Sequence, residues 1–202
     1  MVYIRIGSIY LRNAYGAATP FMISQLQISK QKDVHVDFSL ALIAKSMFLK
    51  ACSTNPSSDS WLGAGRACFA LKEYQEAEDA LAEANVLNNR DGNVWAHLSL
   101  LSLTLGRLLE ANQCIAQALR LGIKDVEIIK ALGAAFLNEN QNLAAAECFR
   151  LVLEENPADL ETRELLVSAV TAGSTGYLLN EGAEIKPDNR EDMAGVRGGL
   201  AI

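Results

Sequence analysis

This chain is poor in the residues from which an enzyme, a disulfide-framed domain or a membrane protein is built. It has two histidines in 202 residues, His35 and His97, and neither stands in a His-Glu-x-x-His pair. No Gly-x-x-x-x-Gly-Lys-Ser/Thr loop occurs; Gly63-Ala64-Gly65 resembles one only superficially, lacking the Lys and Thr that would follow. No catalytic residue, cofactor-binding residue or metal ligand is therefore assigned, and an enzyme is not expected. The four cysteines, Cys52, Cys68, Cys114 and Cys148, are far apart and form no Cys-x-x-Cys pair. Buried reduced thiols serving as small hydrophobes are expected. A run of about 18 apolar residues is missing, which excludes a helical membrane span. The stretch Met1–Gly7 lacks a charged segment followed by a clean apolar one, so no secretory signal is expected. Aromatics make up only 6% of the chain, whereas half of it is hydrophobic, mostly Ala and Leu. That combination suits helices packed closely together.

Charge is unevenly spread. Residues 1–57 carry six basic and two acidic side chains, residues 58–159 eight and fifteen, and residues 160–202 four and seven. The central −7 argues against nucleic acid as the main partner.

What is present is repetition. Residues 58–91, 92–125 and 126–159 can be set in register as three 34-residue units. Offset four holds Trp61, Trp95 and Ile129; offset eight Gly65, Ser99 and Gly133; offset twenty Ala77, Ala111 and Ala145; offset twenty-four Leu81, Ile115 and Phe149. Apolar residues recur at helical spacing in two runs per unit, split by a polar break such as Lys72-Glu73 or Gly106-Arg107. Each unit reads as a first helix, a turn and a second helix. Helices are predicted near 59–71, 74–87, 93–105, 108–121, 126–138 and 142–154, with Gly65 and Gly133 crossing Ala77 and Ala145. One such unit cannot cover its own apolar face, so the units stack.

The flanks follow from the same register. Tyr3, Ile6, Gly7 and Tyr10 match a first helix, and Ala44, Phe48, Ala51 and Pro56 a second. About 25 residues too many separate them, roughly 13–37, where two to eight would normally suffice. This insert reads as a surface loop with a short helix around 21–28, as a binding element, or as sequence from a poorly defined gene model. The second helix, about 38–53, has a stripe of Leu40, Ile43, Ala44, Met47, Phe48 and Ala51, stops at Thr54-Asn55-Pro56, and is followed by a cap at Ser57, Ser58 or Asp59. After Pro157 a terminal capping helix is predicted over 160–173, with an apolar face of Leu165, Leu166, Ala169 and Val170. Residues 174–202 read as a disordered tail.

The period and pattern resemble the tetratricopeptide repeat (TPR), a resemblance that implies an all-α, right-handed superhelical solenoid. It also implies a concave wall made mainly from first helices, where a partner helix or extended segment is held. At those offsets stand Leu62, Arg66, Phe69, Asn93, His97, Leu100, Leu103, Lys130 and Leu137, an expected apolar floor with polar contacts. The Lys and Asn residues of the heat-shock-protein carboxylate clamp are replaced here by Leu62, Arg66 and His97, so that clamp is not expected. A narrower likeness rests on Ser60–Phe69, Glu76–Asn89, Val94–Leu98 and Ala44–Cys52. These segments resemble the C-terminal repeats of the cilia- and flagella-associated protein 70 family. That resemblance implies a non-enzymatic scaffold of the axoneme, needed for cilium or flagellum assembly or motility, with protein partners. Two alternatives remain, a general cytosolic adaptor in trafficking or complex assembly, and a regulatory domain of a repeat-containing enzyme.

Overall fold

The computed structural model describes residues 1–15 and 36–181. Among these residues there are nine α-helices and no strand. α1 (Val2–Tyr15) pairs with α2 (Phe38–Thr54), α3 (Ser58–Ala70) with α4 (Tyr74–Leu87), α5 (Gly92–Thr104) with α6 (Leu108–Leu121) and α7 (Val126–Asn138) with α8 (Asn142–Glu155). α9 (Leu160–Glu181) packs on α8 and closes the stack. The bounds of α3 to α8 fall within one residue of those expected from the periodicity.

Local chemistry explains why the helices begin and end where they do. First helices are capped by side chains. Ser57 and Ser60 cap α3 reciprocally, Asp91 and Asp125 accept the N–H groups of Asn93 and Glu127, and Asp159 accepts that of Thr162. The second helices of the three repeats, α4, α6 and α8, have no such cap. The turn before each instead carries one left-handed residue, Lys72, Gly106 or Asn140, spaced 34 apart. The next N–H then reaches back to the preceding helix, from Glu73 to Cys68 O, Arg107 to Ser102 O and Gln141 to Phe136 O. One turn geometry is thus built three times from three different residues.

Packing within each pair depends on small residues of the first helix. A Cβ on Gly65 would lie 2.7 Å from Leu81 Cγ, and one on Gly133 2.6 Å from Phe149 Cε1. The residues that press hardest on these glycines are therefore the large ones at offset twenty-four. Ala77 also stands at Gly65, as expected, its carbonyl oxygen 3.4 Å from that Cβ position; the large residue at offset twenty-four is the closer neighbour. Ser99 replaces the glycine in the second repeat, and its buried hydroxyl donates 2.9 Å to Ala111 O. Between units, Phe48 of α2 sits between Gly7 of α1 and Gly63 of α3.

Successive first helices touch one another, α1 to α3 to α5 to α7 to α9, while successive second helices do not approach as closely. First helices therefore form the inner wall and second helices the outer, the geometry of an all-α solenoid.

Several flanking expectations need correction. α1 runs on through Asn13, Ala14 and Tyr15, and Asp37 already caps α2, its N–H bonded to Ala14 O at 2.9 Å. The two helices thus meet directly; the short helix expected around 21–28 lies outside the described residues. Ile43 is exposed, and Ala41 and Cys52 take its place in the buried stripe of α2. α9 continues through Gly173 and Ser174 to Glu181. Ala169 and Thr162 are buried on it, whereas Val170 is exposed. The disordered tail expected over 174–202 falls partly on this helix; residues beyond 181 lie outside those described.

Candidate functional site

The nine residues expected to line the inner wall belong to α3, α5 and α7. Leu62, Leu100 and Leu103 are buried in the apolar clusters between helices. They do not form an open floor. α3 and α5 each touch their own second helix, the preceding one and the next first helix, so they need apolar residues on three sides. Phe69 and Leu137 are half-buried and pack against the same core, Phe69 with its ring 5.8 Å from that of Tyr74.

The polar members are tied into the repeat junctions. Asn93 Oδ1 accepts the N–H groups of Lys124 and Asp125 at 3.1 and 3.2 Å, holding the link between α6 and α7. Lys130 pairs with Asp159, the cap of α9. The Lys130 hydrogen bond, opposed by burial and helped by the bonds from Thr162, pulls the Asp159 carboxyl below its ordinary value. Arg66 stands 3.9 Å from Asp125, too far for a hydrogen bond. Burial, aided by the Arg66 charge, holds the His97 imidazole well below its usual range, so it is neutral near pH 7.

The Arg66 charge thus acts on His97 and on the Tyr15 hydroxyl alike. Burial pushes that phenol up to about 12 despite the cation. Tyr15 had no signal in the repeat register, because it sits at the end of α1, where the chain leaves the 34-residue pattern.

On the outer wall, Lys45 of α2 bonds Glu73 at 2.7 Å and also Glu76. Burial alone would lower the Lys45 ammonium, but the two carboxylates outweigh it and raise it. Glu73, Glu76 and Cys68 bring their ligand atoms within 4.8 Å of one another, a spacing that could hold a metal ion. Lys45 already supplies the positive charge there, and burial drives the Cys68 thiol up to about 11, away from the thiolate a metal needs. Glu76 is thus part of an ion-paired cluster. Cys52, Cys68 and Cys148 are buried free thiols as expected, whereas Cys114 is only half-buried. Among the described residues, no helix is long and apolar enough to cross a membrane.

Comparison with known proteins agrees with this architecture. The structure superposes on the crystal structure of a thermophilic TPR protein from Thermus thermophilus with a TM-score of 0.56, over 84% of this chain and 98% of that one. The two are 21% identical, a likeness of fold alone. Cilia- and flagella-associated protein 70 from Macaca fascicularis and from Homo sapiens is 48% identical over 86 residues, 43% of this chain. The chain spans only 8% of the length of either relative. The BBSome complex member BBS4 of Xenopus tropicalis is 26% identical over 162 residues, 75% of this chain and 31% of that protein. The family model of the cilia and flagella-associated protein 70 C-terminal domain matches residues 33–192, leaving out residues 1–32 and 193–202, and the chain belongs to that family.

Proposed function

We propose that this chain is a non-enzymatic scaffold segment that binds protein partners in the axoneme of a cilium or flagellum, or in the machinery that assembles it. The observation that carries this reading is the partition of charge between the two walls. Within the three repeats the first helices are electrically balanced, with Asp59, Arg66, Glu127 and Lys130 as their only charges. The second helices carry eight carboxylates against Arg120 and Arg150, two of the eight on α8's last turn. The inner wall is thus a low-charge surface, with half-buried Phe69 and Leu137 beside Arg66 and neutral His97, suited to a segment of mixed polar and apolar character. A curved stack of rigid hairpins displays such a surface without needing to move.

A tagged full-length protein, fractionated from ciliated cells, tests the reading. Membrane and soluble matrix are removed with detergent and the axoneme is washed in salt. Retention through detergent with release in high salt is expected; absence from the cilium would overturn the axonemal role. A second reading, an adaptor in trafficking or complex assembly outside the axoneme, is favoured by the similarity to a BBSome complex member over three-quarters of the chain. Recovery in the detergent-soluble fraction, within a defined complex, would select it.

A further inference from the structure

The outer wall carries a second feature, independent of the inner one. Between α4 and α6 the second helices of adjacent repeats leave a groove of about 600 Å³ whose floor is the outward face of α5. Trp95 and Leu98 form the apolar part of that floor, and Cys114 stands on the α6 side. Both are half-buried in place of the full burial seen for most apolar residues of α5. Trp95 is fixed by its indole N–H, which donates 2.9 Å to Asn89 O. Leu109, one turn before Gln113 on α6, is among the most exposed large apolar residues of the protein.

The walls are acidic. Glu78 on α4 and Glu110 on α6 face the groove. α4 bears Glu76, Glu78, Asp79 and Glu83 and no basic residue at all. One cation, Arg107, contacts both wall carboxylates, Glu78 at 2.6 Å and Glu110 at 3.6 Å. Arg107 offsets part of this charge, but the four carboxylates of α4 together with Glu110 outnumber it, so the walls stay net negative and favour a basic occupant. A trough between two helices that run the same way accepts a third helix lying along it.

We propose that this outer groove binds a basic amphipathic helix of a protein partner, its apolar face on Trp95 and Leu98 and its Lys or Arg side chains on Glu78 and Glu110. The site is separate from the inner wall, so both could be occupied at once.

The 202-residue chain tests this with designed peptides of one amphipathic helical pattern, one of leucine and lysine, the other of leucine and glutamate. Two groove residues report directly. Alkylation of Cys114, the one thiol of the four that is not buried, reads protection. In a Trp61→Phe variant, Trp95 becomes the only tryptophan and its emission reads occupancy. The leucine–lysine peptide should slow Cys114 alkylation and shift Trp95 emission, with binding that weakens as salt rises. The E78Q/E110Q variant, checked for unchanged circular dichroism, should bind it roughly tenfold more weakly, while Arg66→Ala on the inner wall should bind it as the parent does. Equal protection by the leucine–glutamate peptide, no protection by either, or binding indifferent to E78Q/E110Q would overturn the proposal. So would loss of binding in Arg66→Ala, or protection that grows with protein concentration alone, which would make a second copy of the chain the occupant.

Discussion

The ring of Phe48 occupies the space that a side chain on Gly63 would need: a Cβ there would lie 2.1 Å from Phe48 Cε1. Gly7 stands on the other side, its missing Cβ 3.0 Å from the same ring, so the ring cannot swing away. Gly63→Ala should therefore overpack the junction of the first two hairpins at a cost of about 1–3 kcal/mol, outweighing the ~1 kcal/mol that alanine gains over glycine in a helix. Phe48→Leu should recover much of that loss, since leucine holds the corresponding place at Leu81. A double-mutant cycle on the thermal midpoint measures the coupling; additive effects would refute the contact.

The crossing inside the second repeat gives a sharper test of register. Ala111 is fully buried, and its carbonyl receives the Ser99 hydroxyl. Ala111→Glu would place a carboxylate where nothing can pair with it and should melt the array. Leu109→Glu, two residues earlier and exposed, should leave the circular dichroism and thermal midpoint almost unchanged. Equal behaviour of the two variants would show the helix to be rotated from the position described.

These two residues also show what could be read from the chain alone. Ala111 is legible because alanine returns at offset twenty in all three units, and only a close crossing demands it each time. The inner-wall leucines are not legible in that way. On α5 Leu98, Leu100, Leu101 and Leu103 fall on every side of the helix, because several neighbouring helices press on it. Periodicity cannot tell Leu100, which is buried, from Leu98, which opens on the outer groove. The end of α9 was misplaced for a different reason. Gly173 looks like a stop, but a glycine ends a helix only when it turns left-handed, and this one stays helical with Asn142 beside it. Arg66, His97 and Tyr15 come from three different hairpins, and no spacing within one repeat could announce that the Arg66 charge acts on the other two.

The three turns between first and second helices predict effects of opposite sign. Lys72 and Gly106 hold the same left-handed conformation, φ 62° and 73°. Gly106→Ala should cost about 1 kcal/mol, since nothing but backbone conformation opposes the methyl group there. Lys72→Gly should stabilise by about 0.5–1 kcal/mol for the same reason. Chemical denaturation of both variants decides it; a loss in Lys72→Gly would mean that the lysine makes contacts outweighing its strain.

Thiol chemistry should follow burial. Burial drives Cys148 up to about 12, whereas Cys114 is raised but half-exposed. In the native chain a disulfide reagent should modify Cys114 first, with Cys148 reacting only on unfolding. Mass spectrometry of the partly labelled protein identifies the site. Early labelling of Cys148 would show that the last hairpin, α7–α8, opens locally below the global unfolding free energy.

The Lys130–Asp159 pair ties the last repeat to α9, and its pH dependence has a definite sign. Hydrogen bonding to Lys130 lowers the folded-state carboxyl below its ordinary value, about 3.9 when unfolded. A group depressed in this way contributes its full stabilisation above the unfolded value and loses it as pH falls through the folded one. Stability should thus be flat in this term near neutrality and decline below about pH 4. Asp159→Asn keeps a competent cap for Thr162 but removes the charge, so it should flatten that acid decline while leaving α9 folded. Asp159→Ala loses the cap as well and should cost about 1 kcal/mol more. Thermal midpoints of the three proteins from pH 2 to pH 7 test this. If the Asn variant kept the parent's acid slope, the stability lost in acid would have to reside in other carboxylates, and the pair would be only a surface contact.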